Sequence, residues 1–200
     1  MNFGELKATL PFLLDCRGLS RFAPAMKKSI AAVFSLTLLA AASVIAGPKA
    51  VKVDPPYAAP AIEGTDQTGK AVKFADLYKD NKFVLVYFYP KADTPGCTKQ
   101  GCSLRDGNAE LAKKGVKIVG VSADTVEAQK AFSEKYTFPF QLIADKDGKV
   151  IDAFKVAKRP NGMASREAFL VKDGKVVWHD PAAATEKQAE DALKAVEEAK

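Results

Sequence analysis

The segment FVLVYFYPKADTPGCTKQGC, residues 83–102, joins an apolar run to a polar one through a turn rich in proline and glycine. The run Phe83–Tyr89 is β-branched, aromatic and apolar at both parities, which predicts a central strand covered on both faces. The polar residues from 103 to 114 are compatible with a helix. The sequence therefore predicts a strand, a turn and a helix, with Cys97 at or near the first helical turn.

This position gives Cys97 unusual chemistry. The first turn of a helix has backbone N–H groups without intrahelical partners, and the helix dipole is positive there. A cysteine in that place ionises more easily than a free one. Cys102 follows five residues later. A working hypothesis is that Cys97 is a reactive thiolate and that Cys102 is its resolving partner.

Three hypotheses account for the cysteine pair. The first is a structural disulfide, but residues five apart on an ideal helix have Cα atoms roughly 8.7 Å apart, whereas a disulfide needs less than about 7 Å. The second is a thioredoxin-type disulfide exchange protein, although such proteins use C-x-x-C and this chain has C-x-x-x-x-C. The third is a peroxidase, in which a thiolate attacks a hydroperoxide and the resulting sulfenic acid condenses with a second thiol.

The residues around Cys97 offer what a peroxidase needs. The backbone amides of Gly96 and Cys97 can donate hydrogen bonds. The Thr94 hydroxyl lies three residues upstream and Pro90 can exclude water, whereas an arginine must come from another strand. A structural metal site is not expected, because three cysteines and one histidine supply no second ligand pair.

The segment YPKADTPGCTKQGC resembles the active-site segment of the peroxiredoxins, in particular the PrxQ or bacterioferritin comigratory protein class. The family pattern P-x-x-x-T/S-x-x-C is matched by Pro90, Thr94 and Cys97. That class often places its resolving cysteine where Cys102 lies. The segment REAFL, which begins at Arg166, is similar to a strand of the family whose first residue is the active-site arginine.

The resemblance runs from about Tyr57 to Lys200 and implies a thioredoxin-like fold and a thiol peroxidase without a metal or a bound cofactor. Arg105 and Arg159 are alternatives for the active-site arginine. A role is implied for each matched residue: peroxidatic nucleophile (Cys97), resolving thiol (Cys102), hydrogen-bond donor to the thiolate and the peroxide (Thr94), positive charge beside the thiolate (Arg166) and shield of the pocket (Pro90).

The order of elements predicted after residue 60 is a β-hairpin, two strand–helix pairs, a strand, a second β-hairpin and a helix. Parallel strand–helix units that lead into an antiparallel hairpin predict an α/β protein with a mixed central β-sheet, helices on both faces and an N-terminal β-hairpin. Asp124 with Glu127, and Thr185 with Gln188, predict the starts of two helices. The strands predicted for the sheet are residues 83–89, 116–122, 141–144, 166–172 and 175–179, and residues 76–78 are predicted to form a turn.

The first 60 residues are predicted to precede the folded domain. Met26-Lys27-Lys28, followed by an uncharged stretch that ends in small residues before Gly47, predicts a signal peptide. The predicted divisions of the chain are an over-extended N-terminus (1–25), the signal peptide (26–46), a proline-rich linker (47–60) and the domain (61–200).

An exported enzyme cannot use cytosolic reductants, so we expect a periplasmic location and a thioredoxin-like electron donor beside the hydroperoxide substrate. Once the signal peptide is cleaved, no stable membrane association is expected, and the protein should be a monomer or a weak dimer. The net charge of +6 falls to +3 without residues 1–46 (25 basic against 22 acidic). Charges of both signs alternate along the chain, which argues against a nucleic-acid partner.

Overall fold

Eight β-strands and six α-helices are formed by residues 49–199, the part of the chain that the computed structural model describes. The strands are β1 (Val51–Ala58), β2 (Glu63–Thr65), β3 (Ala71–Lys73), β4 (Phe83–Phe88), β5 (Val116–Ser122), β6 (Gln141–Ala144), β7 (Ala168–Lys172) and β8 (Lys175–Asp180). The helices are α1 (Phe74–Asp80), α2 (Pro95–Asp106), α3 (Asn108–Lys113), α4 (Val126–Tyr136), α5 (Lys149–Ala153) and α6 (Gln188–Glu198).

The N-terminal predictions lie outside the described residues: the signal peptide at 26–46, the over-extended segment at 1–25 and the first two residues of the linker. Within residues 49–199, no helix is both long and apolar enough to span a bilayer.

Six of the strands form one mixed sheet in the order β1-β8-β7-β4-β5-β6. Strands β4, β5 and β6 are parallel, whereas β7 is antiparallel to β4 and β8 is antiparallel to β7. Strands β2 and β3 form a separate hairpin, as predicted. The predicted fold class, a thioredoxin-like α/β protein with a mixed central sheet and an N-terminal β-hairpin, is confirmed.

Strand β4 lies between two hydrophobic cores, and each of its residues is buried. Because side chains alternate along a strand, Leu85 and Tyr87 face the core that is covered by α2, α3, α4 and α6. Val84 and Val86 face the opposite core, which α1 and α5 cover. Both faces of the sheet therefore carry helices, and the cysteine-bearing helix α2 lies on the first of them.

The predicted linker is partly a strand, because residues 51–58 pair with β8 at the edge of the sheet. The prolines of this segment indicated a linker, because proline has no N–H group to donate to the hydrogen-bond ladder of a sheet. The structure accommodates Pro55 and Pro56 in the interruption of the register between Lys52 and Tyr57. An edge strand tolerates such a gap, so the sheet begins before the predicted boundary at residue 61.

Two further local predictions differ from the structure. The turn predicted at residues 76–78 belongs to α1, whose Phe74 and Tyr78 are buried one turn apart. Helix α4 begins one residue later than predicted: Thr125 is its N-cap and accepts a hydrogen bond from Ala128 N at 3.3 Å. The predicted cap, Asp124, instead accepts hydrogen bonds from Ala92 N and Ser122 Oγ, each at 2.7 Å.

The helical segment after Cys97 is divided at Gly107, which ends α2 and precedes α3. A Cβ atom at Gly107 would lie 2.5 Å from the Cβ atom of Ala189 in α6. The division therefore lies where α6 packs closely against the chain. Any larger side chain at position 107 would push α6 away.

Gly120→Ala is expected to lower the free energy of unfolding by about 1–3 kcal/mol, the usual cost of overpacking a core. Gly120 lies in β5, and its new Cβ atom would lie 2.7 Å from both the Tyr87 hydroxyl and Leu142 Cδ2. Urea denaturation followed by circular dichroism measures the change. Lys117→Ala on the same strand is the control and should change the free energy by less than about 0.5 kcal/mol. Equal stabilities of the two variants would contradict the packing argument.

Candidate active site

Cys97 is a buried free thiol at the start of α2, with 2% of its surface exposed. The helix begins at Pro95 directly after Thr94, which is the N-cap residue in an extended conformation. The first backbone hydrogen bond of the helix runs from Thr98 N to Thr94 O at 2.8 Å. The amides of Gly96 and Cys97 therefore have no acceptor within the helix. They point out of its N-terminal end, which is the positive end of the helix dipole.

The register of the sheet brings Arg166 to Cys97. Strand β7 runs antiparallel to β4 with Ala168 opposite Tyr87, so the residues just before β7 lie beside the end of β4, where α2 follows. Side chains alternate along an extended chain, which places Arg166 on the same side as Ala168, in the core beneath α2. Arg166 Nη2 donates to Cys97 Sγ at 3.4 Å.

The other two candidate arginines are placed elsewhere. Arg105 Nη1 donates to the carbonyl oxygen of Tyr136 at 3.0 Å, and the same side chain pairs with Asp106. Arg159 is exposed in the loop before β7. Of the three, Arg166 is the arginine that contacts the sulfur of Cys97.

Thr94 lies at the helix start but its side chain does not cap the helix. Its Oγ1 atom donates to the carbonyl oxygen of Lys91 at 3.0 Å, because the preceding turn brings that acceptor within reach. Thr94 is therefore the N-cap residue by its position, whereas its hydroxyl makes no capping hydrogen bond. Its contact with a thiolate and a peroxide stays a prediction.

Pro90 is buried two residues after the end of β4. It lines a pocket of about 270 Å³ at the carboxyl ends of the parallel strands, together with Asp124, Lys146 and Met163 among others. A buried proline beside the helix that carries the nucleophile is compatible with the predicted shielding role, which stays a prediction.

The loop between β4 and α2 is fixed by two carboxylates. Asp124 accepts a hydrogen bond from Ala92 N at 2.7 Å, which ties the loop to the end of β5. Asp93 accepts hydrogen bonds from Lys135 Nζ and Tyr136 Oη, each at 2.8 Å, which ties the loop to α4. Hydrogen bonds and the charge of Lys135 hold the pKa of Asp93 below its ordinary value. The start of α2 is thereby positioned from both sides.

Two stacked tyrosines interact electrostatically with Cys97. The ring centroids of Tyr87 and Tyr89 are 5.5 Å apart. Burial, followed by the charges of Tyr89 and Cys97, raises the pKa of Tyr87 well above its ordinary value. Burial also raises the pKa of Tyr89, against the opposing hydrogen bonds with Ser122 and Gln129. Both phenols therefore remain neutral beside the sulfur.

Gln100 and Gln188 are residues of the site that sequence analysis did not assign to it. Arg166 Nη1 donates to Gln100 Oε1, and Gln100 Nε2 donates to Gln188 Oε1 at 2.8 Å. Both glutamines are fully buried. Gln188 was predicted to cap α6 together with Thr185, but the N-cap residue is Lys187 and no side chain caps the helix there.

Cys102 lies in the same helix as Cys97, one and a half turns later, and 4% of its surface is exposed. The helix is continuous between the two residues. The structure thus brings Cys97, Cys102, Thr94 and Arg166 to one end of the sheet.

Several donors converge at the start of α2. A Cβ atom at Gly96 would lie 3.2 Å from Arg166 Nη2, so the guanidinium lies against the first helical turn and its free amides. Such an arrangement stabilises an anion, either a thiolate or the negative charge that develops on a reacting oxygen. Among residues 49–199, no cluster of three or more histidine, cysteine or carboxylate side chains could hold a metal ion.

A nucleophilic thiol beside a guanidinium, at the first turn of a helix in a thioredoxin-like fold, places the protein in the class of thiol-dependent peroxidases. The model of the AhpC/TSA family matches residues 56–179, and the chain belongs to that family. Among curated relatives, it is 42% identical to peroxiredoxin Bcp of Escherichia coli over 125 residues, which cover 59% of this chain and 79% of that protein. It is 40% identical to the chloroplastic peroxiredoxin Q of Sedum lineare over 113 residues, 56% of this chain and 60% of that protein.

Solved structures agree with the sequence relatives. Peroxidoxin BcpB of Mycobacterium tuberculosis is 31% identical with a TM-score of 0.67, and the match covers 72% of this chain and 97% of that one. Bacterioferritin comigratory protein of Xanthomonas campestris is 30% identical with a TM-score of 0.64, and the match covers 69% of this chain and 91% of that one. The resemblance to the PrxQ and bacterioferritin comigratory class is confirmed.

Proposed function

We propose that this peroxiredoxin reduces hydrogen peroxide and organic hydroperoxides through Cys97, with Cys102 as the resolving thiol and a thioredoxin-like protein as the electron donor. The observation that supports the proposal best is the contact of Arg166 Nη2 with Cys97 Sγ, 3.4 Å long, at the first turn of α2. A positive group in that place stabilises the thiolate and the negative charge that develops on the leaving oxygen of the peroxide.

The first step is nucleophilic attack of the Cys97 thiolate on one oxygen of the hydroperoxide. An S–O bond forms and the O–O bond breaks, so that the sulfur is oxidised to sulfenic acid and the leaving oxygen takes up a proton as an alcohol or water. The amides of Gly96 and Cys97 and the guanidinium of Arg166 are the donors for this charge. Thr94 is proposed to donate to the peroxide after turning away from Lys91.

The second step requires Cys102 in its reduced form: its thiol attacks the sulfenic acid, which forms the S–S bond and releases water. Both residues lie in α2, and residues five apart on an ideal helix have Cα atoms roughly 8.7 Å apart. A disulfide needs less than about 7 Å. We therefore propose that the first turns of α2 unwind before the disulfide can form and rewind after it is reduced.

The third step is reduction of the disulfide by a dithiol protein of thioredoxin type. The signal peptide predicted at residues 26–46 supports a periplasmic donor, since the cytosolic pool does not reach an exported enzyme. Mass spectrometry of the protein from a periplasmic extract tests the location, and the expected mature N-terminus is Gly47. Recovery of chains that retain residues 26–46 would contradict the cleavage.

Organic hydroperoxides are included because of one structural relative. The solved structure of the Xanthomonas campestris bacterioferritin comigratory protein is described in terms of that protein's alkyl peroxide reduction activity. The present chain is 30% identical to it, and the match covers 91% of that protein.

Stopped-flow mixing of the reduced protein with hydrogen peroxide or an alkyl hydroperoxide tests the function. Cys97 should be oxidised at least about a thousandfold faster than free cysteine, because positioned donors commonly contribute 10²–10³ each. Oxidation no faster than that of free cysteine would overturn the peroxidase. Rapid reduction of protein disulfides in the same solution would instead favour the disulfide exchange hypothesis.

A further inference from the structure

A chain of hydrogen bonds connects the C-terminal helix to the thiol. Gln188, the first residue of α6, accepts a hydrogen bond from Gln100 Nε2 at 2.8 Å. Gln100 Oε1 in turn accepts from Arg166 Nη1, and Arg166 Nη2 donates to Cys97 Sγ at 3.4 Å. We call the three side chains Gln188, Gln100 and Arg166 the glutamine relay.

The direction of the glutamine relay follows from the arginine. A guanidinium can only donate, so Gln100 must present its oxygen to Arg166 and its nitrogen to Gln188. Gln188 must then present its oxygen to Gln100, which turns its own Nε2 away. That nitrogen is buried and has no hydrogen-bond partner among the described residues.

An unpartnered buried donor is unfavourable and rare. An apolar side chain at position 188 would remove it. The protein nevertheless keeps a glutamine there, in the one orientation that supports Gln100. This arrangement is expected where a side chain serves the site at some cost to stability.

A second hydrogen bond joins α2 to the same helix end. Ser103 Oγ accepts from Ala189 N at 3.2 Å, and it thereby satisfies a first-turn amide of α6 that its N-cap residue, Lys187, leaves without a side-chain acceptor. Gln100 lies between the two cysteines and Ser103 directly follows the second. Both contacts with α6 therefore come from the part of α2 that has to rearrange.

We propose that Gln188 is a positioning residue for peroxide reduction, which holds Arg166 on Cys97 through Gln100 while α2 is helical and loses this contact each time α2 unwinds. The inference rests on the proposed function, because it requires that a Cys97–Cys102 disulfide forms. It adds that α6 favours the helical form of α2. The glutamine relay thus accelerates the attack on peroxide and slows the formation of the disulfide.

Gln188→Met removes the acceptor but keeps the length of the side chain. The rate of Cys97 oxidation by hydrogen peroxide should fall about tenfold, since a displaced catalytic group can cost up to a hundredfold. The rate of disulfide formation should rise about fivefold, because one net hydrogen bond no longer holds α2 helical. Rapid acid quenching followed by mass spectrometry counts the reduced, sulfenic and disulfide forms and gives both rates.

Glu186→Gln is the matched control. Glu186 joins the segment before α6 to α2 through an exposed ion pair with Lys99 at 2.6 Å, but it has no contact with the glutamine relay. Both rates should stay within about twofold, as expected for a surface pair. Gln188→Glu keeps the acceptor and should restore at least half of the lost rate of peroxide attack.

Opposite changes in the two rates of Gln188→Met support the inference, since simple destabilisation would not slow one step and accelerate the next. Unchanged rates, or a parallel decrease of both, in a protein with native circular dichroism would overturn it. If Gln188→Met does not fold, Gln188→Glu provides the test. A decrease of tenfold or more in its rate of Cys97 oxidation, despite the retained acceptor, would overturn the inference. Slow oxidation of the wild-type protein would instead contradict the proposed function itself.

Discussion

Cys97→Ser is expected to abolish hydroperoxide reduction, whereas Cys102→Ser should still reduce one equivalent of peroxide per chain. The serine hydroxyl is not ionised at neutral pH and does not attack the O–O bond, so nothing replaces the thiolate at the first turn of α2. Without Cys102, the sulfenic acid forms at Cys97 but has no other thiol within residues 49–199 with which to condense. Cys97→Ser should therefore lose the reaction itself, whereas Cys102→Ser should lose only repeated turnover, although both cysteines are buried in the same helix.

Consumption of hydrogen peroxide at substoichiometric and excess concentrations distinguishes the variants. Cys102→Ser should consume about one equivalent and then stop, and trapping with a sulfenic-acid reagent should label Cys97. Thermal unfolding of both variants is the control for a structural disulfide, which predicts equal destabilisation. Continued turnover of Cys102→Ser with a thioredoxin-like donor would show that Cys102 is not required for resolution.

Arg166→Gln is expected to lower the rate constant for oxidation of Cys97 by hydrogen peroxide by about 10²–10³, the usual cost of removing one positioned donor. The guanidinium contacts the sulfur at 3.4 Å and supplies the positive charge next to it. Stopped-flow mixing of the reduced variant with hydrogen peroxide gives this rate constant.

Arg105→Gln is the control for this substitution, since Arg105 lies on the cysteine-bearing helix α2 but contacts Tyr136 and Asp106 rather than the sulfur. It should leave the rate constant within about twofold. A decrease of similar size in both variants would indicate a general effect of charge on the approach of the substrate. An unchanged rate constant in Arg166→Gln would contradict a role of the guanidinium in the attack on peroxide.

Most of the secondary structure could be predicted because its signals are local. The ranges predicted for two parallel strands, residues 116–122 and 141–144, agree with β5 and β6. The Asp173-Gly174 pair predicted the hairpin between β7 and β8, and the uninterrupted apolar run predicted the burial of β4 on both faces. Periodicity and turn residues determine these features over a few positions.

What could not be predicted depends on contacts between distant residues. Strand β1 is formed by pairing with β8, which outweighs the local preference of a proline-rich segment for a linker. Asp124 has the local pattern of a helix cap, but Ala92 N, 32 residues away, competes for its carboxylate.

The candidate site divides in the same way. A short motif located Cys97, Thr94 and Pro90, and the resemblance of a second segment indicated Arg166. Gln188 meets Gln100 across 88 residues, and no pattern near either residue indicates that contact. Only the packing of α6 on α2 brings the two amides together.

The interruption at Gly107 limits how much of the protein takes part in each catalytic cycle. Helix α2 has 12 residues and α3 has six, and a single uninterrupted helix would transmit loosening from Cys97 to residue 113. Because α2 ends at Gly107, where the chain is packed against Ala189, the proposed unwinding can end there. Each residue that is released and ordered again involves about 1–2 kcal/mol of backbone entropy. If α2 unwinds as proposed, limiting the change to this short segment would let the enzyme alternate between two forms many times while the rest of its core, including Leu111 of α3, stays folded.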